Sequence, residues 1–255
     1  MNPFHNHSRK ALLATTLAAL SVSVSSPSTA EAYLLVTDAD GLLFIIADDD
    51  GESLLLTGDD ISFQLWADGM YETTYTTGDF DEVILLGGDA ADELGCSLPI
   101  ECTIYGEGGD DSINATAMYS EERMEWPKVL LVGNEGDDEI YGSGWPLVIR
   151  GDEGNDTLYC NGTTNPCSVY GDEGDDVIHG GSGDDSLFGG IGNDVIVGMA
   201  GTDRIYGGGD DDTLSGEFGS TFDLSADVID GGSGTDSIDG LGASDIVTNV
   251  EDTGA

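Results

Sequence analysis

The sequence predicts an all-β fold, a parallel β-roll (a β-solenoid of stacked short turns) with an N-terminal β cap. Three observations predict it. Residues 171–215 read GDEGDDVIH, GGSGDDSLF, GGIGNDVIV, GMAGTDRIY and GGGDDDTLS, five nine-residue units without insertion. Each opens on Gly, carries Asp at its sixth place and has Ile or Leu at its eighth. A fixed period of this kind specifies architecture before any local propensity does. Each unit also divides in two. Its first six residues are mostly Gly and Asp, which suit a tight turn because Gly reaches positive φ without steric cost. Its last three place one aliphatic between two other residues, too short for a helix and suited to a very short strand. Finally, the same unit recurs outside the run, as GEGGDDSIN (106–114), GNEGDDEIY (133–141), GDEGNDTLY (151–159) and GGSGTDSID (231–239).

Two units make one coil, turn–strand–turn–strand, with the eighth-place aliphatics of two facing sheets pointing inward. One coil cannot bury so thin a core, so coils must stack. Stacking brings sixth-place aspartates of successive coils together, where bare carboxylates repel. A hard divalent cation removes that repulsion. Calcium accepts carboxylate and carbonyl oxygens in flexible geometry, whereas magnesium demands a near-ideal octahedron. Metal binding and folding are therefore expected to be coupled.

The candidate ligands are the sixth-place carboxylates and the turn carbonyls of the first- and fourth-place glycines. Upstream of the run they are Gly106, Gly109 and Asp111, then Gly133, Gly136 and Asp138, then Gly151, Gly154 and Asp156. Within it they are Gly171, Gly174 and Asp176, then Gly180, Gly183 and Asp185, then Gly189, Gly192 and Asp194, then Gly198, Gly201 and Asp203, and finally Gly207 and Asp212. Downstream come Gly231, Gly234 and Asp236. A further stretch, GGDAADELG (87–95), reads as a decayed unit with Asp92 sixth and Leu94 eighth.

These units resemble the RTX family, the hemolysin-type calcium-binding repeats of pattern GGxGxDxUx. The resemblance implies a parallel β-roll with calcium between adjacent turns. Many members lack cysteine and leave the cell in one step, directed by a C-terminal signal. This chain has cysteines and the pattern of an N-terminal leader, which favours passage through an oxidising compartment.

Taken in order, residues 1–32 read as a secretory signal peptide. Arg9 and Lys10 form its basic end, and Ala11–Val24 is an apolar run too short to span a bilayer. Cleavage fits after Ala32, leaving Tyr33 first, or after Ala30. No other run is long enough to cross a membrane. Residues 33–104 are more aliphatic, with strand-like segments at 34–36, 42–46, 54–56, 61–66 and 83–86 separated by Asp-Gly or Gly-Asp turns. They read as irregular coils or hairpins that cap the roll, whose open end would expose core and strand edges. Residues 105–240 form the roll and 241–255 a C-terminal tail.

Within the roll, complete units alternate with poorer stretches. Because two half-turns make a coil, the alternation predicts two unlike edges. Units starting at 87, 106, 133, 151, 171, 189, 207 and 231 fall on the first, and stretches starting at 96, 115, 142, 160, 180, 198, 216 and 240 on the second. Adjacent complete motifs then give six sites on the first edge and one on the second, roughly seven calcium ions. The four cysteines fall in second-edge loops, Cys96 with Cys102 and Cys160 with Cys167. An even count in a secreted chain predicts disulfides, each closing its own loop. Spacings of five and six intervening residues are not those of zinc knuckles.

Six basic against 51 acidic residues give a formal net charge of −45, which excludes nucleic acid or an anionic membrane surface as a natural partner. Nothing marks an active site. There is no HExxH, and Gly180-Gly181-Ser182-Gly183-Asp184 fails GxSxG at its fifth place. His179, the sole histidine after the leader, occupies the ninth place of a repeat and reads as displayed outward or packed on the roll. Tyr119, Trp126 and Trp145 lie in second-edge loops, where aromatics either cover the ends of a thin core or stack on a sugar or partner. The expectation is a secreted or surface-exposed, extracellular calcium-binding protein without catalysis. The alternatives are an adhesin or matrix protein binding glycan or a cell-surface partner through its second edge, or a polysaccharide-modifying enzyme carried on the roll.

Overall fold

A computed structural model describes residues 81–250, apart from 120–126, 145, 162–163, 218–225, 240 and 242–243, together with six strands upstream. Those six are β1 (Ser21–Ser23), β2 (Leu34–Thr37), β3 (Leu42–Ile46), β4 (Ser53–Gly58), β5 (Ser62–Ala67) and β6 (Met70–Thr76). From β7 (Glu82–Leu86) the chain passes through β8 (Glu93–Ser97), β9 (Glu101–Gly108), β10 (Ser112–Thr116), β11 (Val129–Glu135), β12 (Glu139–Ser143) and β13 (Leu147–Glu153). It continues through β14 (Thr157–Cys160), β15 (Cys167–Glu173), β16 (Val177–Gly181), β17 (Ser186–Ile191) and β18 (Val195–Met199). It ends with β19 (Arg204–Gly209), β20 (Thr213–Ser215), β21 (Val228–Ser233), β22 (Ser237–Ile238) and β23 (Ile246–Thr248). Among the described residues no helix is long and apolar enough to cross a membrane.

Consecutive strands from β7 to β23 alternate between two sheets, a 12-stranded one holding the odd-numbered strands and an 11-stranded one holding the even-numbered strands. Every pairing within this run is parallel, as β15 with β17 and β16 with β18. The fold is the all-β parallel roll the repeats predict. The register carries each eighth-place aliphatic onto the next, Val169 opposite Leu187, Leu187 opposite Ile205 and Ile205 opposite Ile229. Ile178, Leu187, Ile196, Ile205, Leu214 and Ile229 are all 0% exposed. Each contributes about 1.5–3 kcal/mol of apolar burial.

Three details depart from the sequence expectation. The parallel stack begins before residue 105, since β3 pairs parallel with β7 and β4 with β8. It also extends past residue 240, since β23 pairs parallel with β21. In addition, most strands are longer than three residues. β15 runs on through Gly171, Asp172 and Glu173 because the ladder continues into the next turn, with Asp172 opposite Gly190 and Glu173 opposite Ile191. Upstream, β1–β2–β3 and β4–β5–β6 pair antiparallel. Of residues 1–32, only β1 is described.

The core also changes along the roll. Strands β7 to β15, apart from β12, bury at least two apolar residues each, as Val83 and Leu85, Cys102 and Ile104, Val129 and Leu131, or Leu147 and Ile149. From β16 onward one aliphatic per strand remains, and Gly or Asp takes the second place. On the outer faces, ninth-place rings stack along the strand-to-strand direction. Tyr170, Phe188 and Tyr206 form one row at 4.9 Å between centroids. Tyr141, Tyr159 and His179 form the other, at 4.6 and 4.8 Å. His179 thus packs on the roll surface, with burial holding its pKa below the ordinary histidine value.

Candidate metal centre

The turns that join odd to even strands define the first edge, and those that join even to odd strands define the second. Residues 106–111, 133–138, 151–156, 171–176, 189–194, 207–212 and 231–236 all turn at the first edge, while 180–185 and 198–203 turn at the second. The units at 133 and 151 therefore share an edge.

In each first-edge turn the strand runs through the opening glycine to the third place, and the sixth-place Asp precedes the next strand. The fourth-place Gly109, Gly136, Gly154, Gly174, Gly192 and Gly234 lie in the left-handed region, with φ from 102° to 152°. At Gly174 (φ 140°) a Cβ would also collide with the Gly154 carbonyl of the preceding coil. Asp210 (φ 73°) fills this place in the unit at 207, and short polar side chains tolerate the region. On the second edge Gly201 is left-handed at φ 127°, whereas Gly183 is not. The second place also turns left-handed, through Glu107, Asn134, Asp152, Asp172 and Met199 rather than Gly alone.

The sixth-place aspartates form a continuous ladder. The backbone N–H of Asp111 donates to Asp138 Oδ1 at 2.8 Å, that of Asp138 to Asp156 Oδ1 at 2.8 Å, and that of Asp156 to Asp176 Oδ1 at 2.8 Å. It continues from Asp176 to Asp194 and from Asp194 to Asp212 at 2.9 Å, and from Asp212 to Asp236 at 3.0 Å. Asp92 heads it, its N–H donating to Asp111 Oδ1 at 2.7 Å, so the stretch at 87–95 is part of the same edge. On the second edge Cys167, Asp185, Asp203 and Asp227 donate in turn to Asp185, Asp203, Asp227 and Asp245, at 2.8 to 3.1 Å.

One oxygen of each carboxylate thus joins coil to coil, and the other points into the turn. The Oδ2 atoms of Asp111, Asp138, Asp156, Asp176, Asp185, Asp194, Asp203 and Asp212 are buried without a hydrogen-bond partner. Glycine at the first place makes the space, since a Cβ on Gly106, Gly133, Gly151, Gly171, Gly189, Gly198 or Gly207 would strike the Oδ2 of its own turn's aspartate. The result is a row of dry, unpaired oxygens beside turn carbonyls. Anionic oxygens in such a setting carry a large desolvation cost unless a cation or proton meets them.

The carboxyl pKa values show this cost. Burial lifts Asp138 and Asp176 to about 8, Asp111, Asp194 and Asp203 to about 7, and Asp156, Asp185 and Asp212 to about 6. The interstrand N–H bond opposes the rise and neighbouring aspartates add to it, as Asp156 and Asp194 do at Asp176. A hard divalent cation fits this donor set. It would gain one carboxylate oxygen per turn and the adjacent carbonyls, all lacking hydration.

The sequence reading missed two features of the site. Asp227 and Asp245 extend the second-edge ladder although no complete unit contains them. At Asp227 the signal was the downstream half alone, Asp227-Val228-Ile229, an Asp two residues before the inward aliphatic; at Asp245 it was GLGASDIVT (240–248), with Gly first, Asp sixth and Val eighth but Ala at the fourth place. The fifth place makes a second, exposed ladder running the opposite way. There Asn155 N–H donates to Asp137 Oδ1, Asp175 N–H to Asn155 Oδ1 and Asn193 N–H to Asp175 Oδ1, at 2.7 to 2.9 Å. Each pair of coils is therefore clipped in both directions.

The second edge closes differently upstream. Disulfides join Cys96 to Cys102 and Cys160 to Cys167, the local pairing expected, with Cα atoms 6.7 and 6.6 Å apart. Tyr119 is exposed, and Trp126 and Trp145 lie outside the described residues.

A family model described as the RTX calcium-binding nonapeptide repeat (4 copies) matches residues 103–117, 130–144, 148–160, 168–196, 188–222 and 224–248. The last segment includes both aspartates that the motif reading passed over. Comparison with curated proteins returns no match.

Proposed function

Because residues 103–248 place this chain in the RTX calcium-binding repeat family, we propose that it is an extracellular protein whose calcium ions complete its fold. The observation that carries the reading is the row of buried Oδ2 atoms without hydrogen-bond partners beside glycine-cleared turns. Calcium there supplies the positive charge that the buried carboxylates lack. The chain's own part is to hold one oxygen of each sixth-place Asp by the neighbouring coil's N–H and to present the other, with the turn carbonyls, in a dry edge. Such an edge is costly without metal, so folding follows calcium. Extracellular calcium modules bind at about 10⁻⁴–10⁻³ M, a range that leaves the chain unfolded where calcium is scarce and folded outside. The two disulfides and the leader-like residues 1–32 support export through an oxidising compartment. The antiparallel pairing of β2–β3 and β4–β5–β6 supports reading these strands as the cap of the N-terminal end.

Calcium stoichiometry by native mass spectrometry tests this. Eight first-edge turns from 87 to 231 leave seven gaps. On the second edge Asp185, Asp203 and Asp227 leave two, Gly216 clearing Asp227 as the other glycines do. About nine ions are expected, in place of the seven given by complete motifs alone. A metal-free spectrum in millimolar calcium would exclude the reading.

A further inference from the structure

Sγ of Cys160, Sγ of Cys167 and a carboxylate oxygen of Asp185 all lie within 4.8 Å of one another, and all three residues are buried. Among the described residues this is the one group of three Cys, His, Asp or Glu side chains so placed. Asp185 is held there by the Cys167 N–H, which donates to its Oδ1 at 2.8 Å. Its Oδ2 is fully buried and has no hydrogen-bond partner. The Gly180 carbonyl oxygen stands 3.7 Å from Cys167 Sγ. The other disulfide lacks this setting, since the residue opposite Cys102 on the next coil is Val129.

We propose that, when the Cys160–Cys167 disulfide is reduced, its two thiolates and Asp185 form a site for a thiophilic divalent cation of the zinc or cadmium class. Two sulfurs, one carboxylate oxygen and a nearby carbonyl are a donor set for a tetrahedral, borderline-soft ion and not for calcium. Reduction takes two electrons and two protons from an external dithiol, which closes to its own disulfide. The cation then displaces the two thiol protons, because thiolate is the metal-binding form. The second-edge turn at 160–167 is thus closed in either redox state, by a covalent bond or by a metal.

The test uses the full chain in saturating calcium, reduced anaerobically with a trialkylphosphine and titrated with cadmium. The readout is the ultraviolet thiolate-to-cadmium charge-transfer band. The wild type should show a stoichiometric band that Cys96→Ala with Cys102→Ala retains and Cys160→Ala with Cys167→Ala loses. Asp185→Asn keeps the Oδ1 acceptor but not the charge, and should weaken cadmium binding about tenfold or more. Absence of the band in the wild type, its loss with Cys96 and Cys102, or equal cadmium affinity in wild type and Asp185→Asn would each overturn the site.

Discussion

At Asp176 a single carboxylate has two separate tasks. Oδ1 accepts the Asp156 N–H at 2.8 Å, and Oδ2 is buried without a hydrogen-bond partner. Asp176→Asn retains the first and removes the charge needed for the second. In calcium it should destabilise the roll by about 3 kcal/mol, the usual cost of breaking a buried charge pair. Asp175→Asn should stay within about 0.5 kcal/mol, since Asn155 and Asn193 already serve at that place. Thermal melts in saturating calcium check both. Titration follows the same logic. In the folded, metal-free chain these carboxyls titrate at about 6 to 8, above the roughly 3.9 of an unfolded Asp. Between those values the folded state holds protons that the unfolded state has lost, so metal-free stability falls as pH rises through that window. Calcium must displace the same protons, so its apparent affinity should weaken as pH drops from about 8 to 5. A calcium affinity independent of pH over that range would contradict the assignment. The sixth place was legible in the sequence because Asp recurs in phase with Gly and an aliphatic. The fifth-place ladder was not, because an exposed Asp or Asn reads as solvated polarity until its neighbouring coil is known.

At the level of elements, one row along the second edge shows how closure changes. Leu43, Val83, Cys102, Val129, Leu147 and Cys167 occupy successive places in the odd-numbered sheet, and Asp185, Asp203, Asp227 and Asp245 continue the row. Apolar packing and disulfides close the edge upstream, and carboxylates close it downstream. Replacing Cys96 and Cys102 by Ala should therefore cost about 2–3 kcal/mol at every calcium concentration at which the roll is folded. The cost of Asp203→Asn should instead grow as calcium rises. Denaturation curves at limiting and saturating calcium distinguish the two, and an equal response of both variants to calcium would contradict the division. Cysteine parity and loop position made the upstream closure readable. Asp227 escaped because residues 217–226 separate it from Gly216, which breaks the nine-residue count while the register in space is kept. The same reasoning explains the N-terminal boundary. β3 and β4 lack the glycine half-unit, yet their aliphatic spacing suffices to join the parallel sheets.

Across the whole molecule, the apolar core and the acidic ladders trade places. Most N-terminal strands bury at least two apolar side chains, and one aliphatic per strand remains from β16, where aspartates line both edges. A thin solenoid core of this kind does not offset chain entropy by itself, and a net charge of −45 opposes compaction further. Calcium supplies the missing term in both respects. It neutralises the dry oxygens one turn at a time and lowers the charge of the folded state as a whole. The central claim is accordingly that the carboxylate ladders hold the roll together only when a hard divalent cation of suitable size is bound. Circular dichroism of the disulfide-intact chain at neutral pH, first in chelator and then with calcium or magnesium restored, tests it directly. The account predicts that β signal is largely lost in chelator, returns with calcium at millimolar concentration and does not return with magnesium. A β signal that persists unchanged in chelator would contradict it.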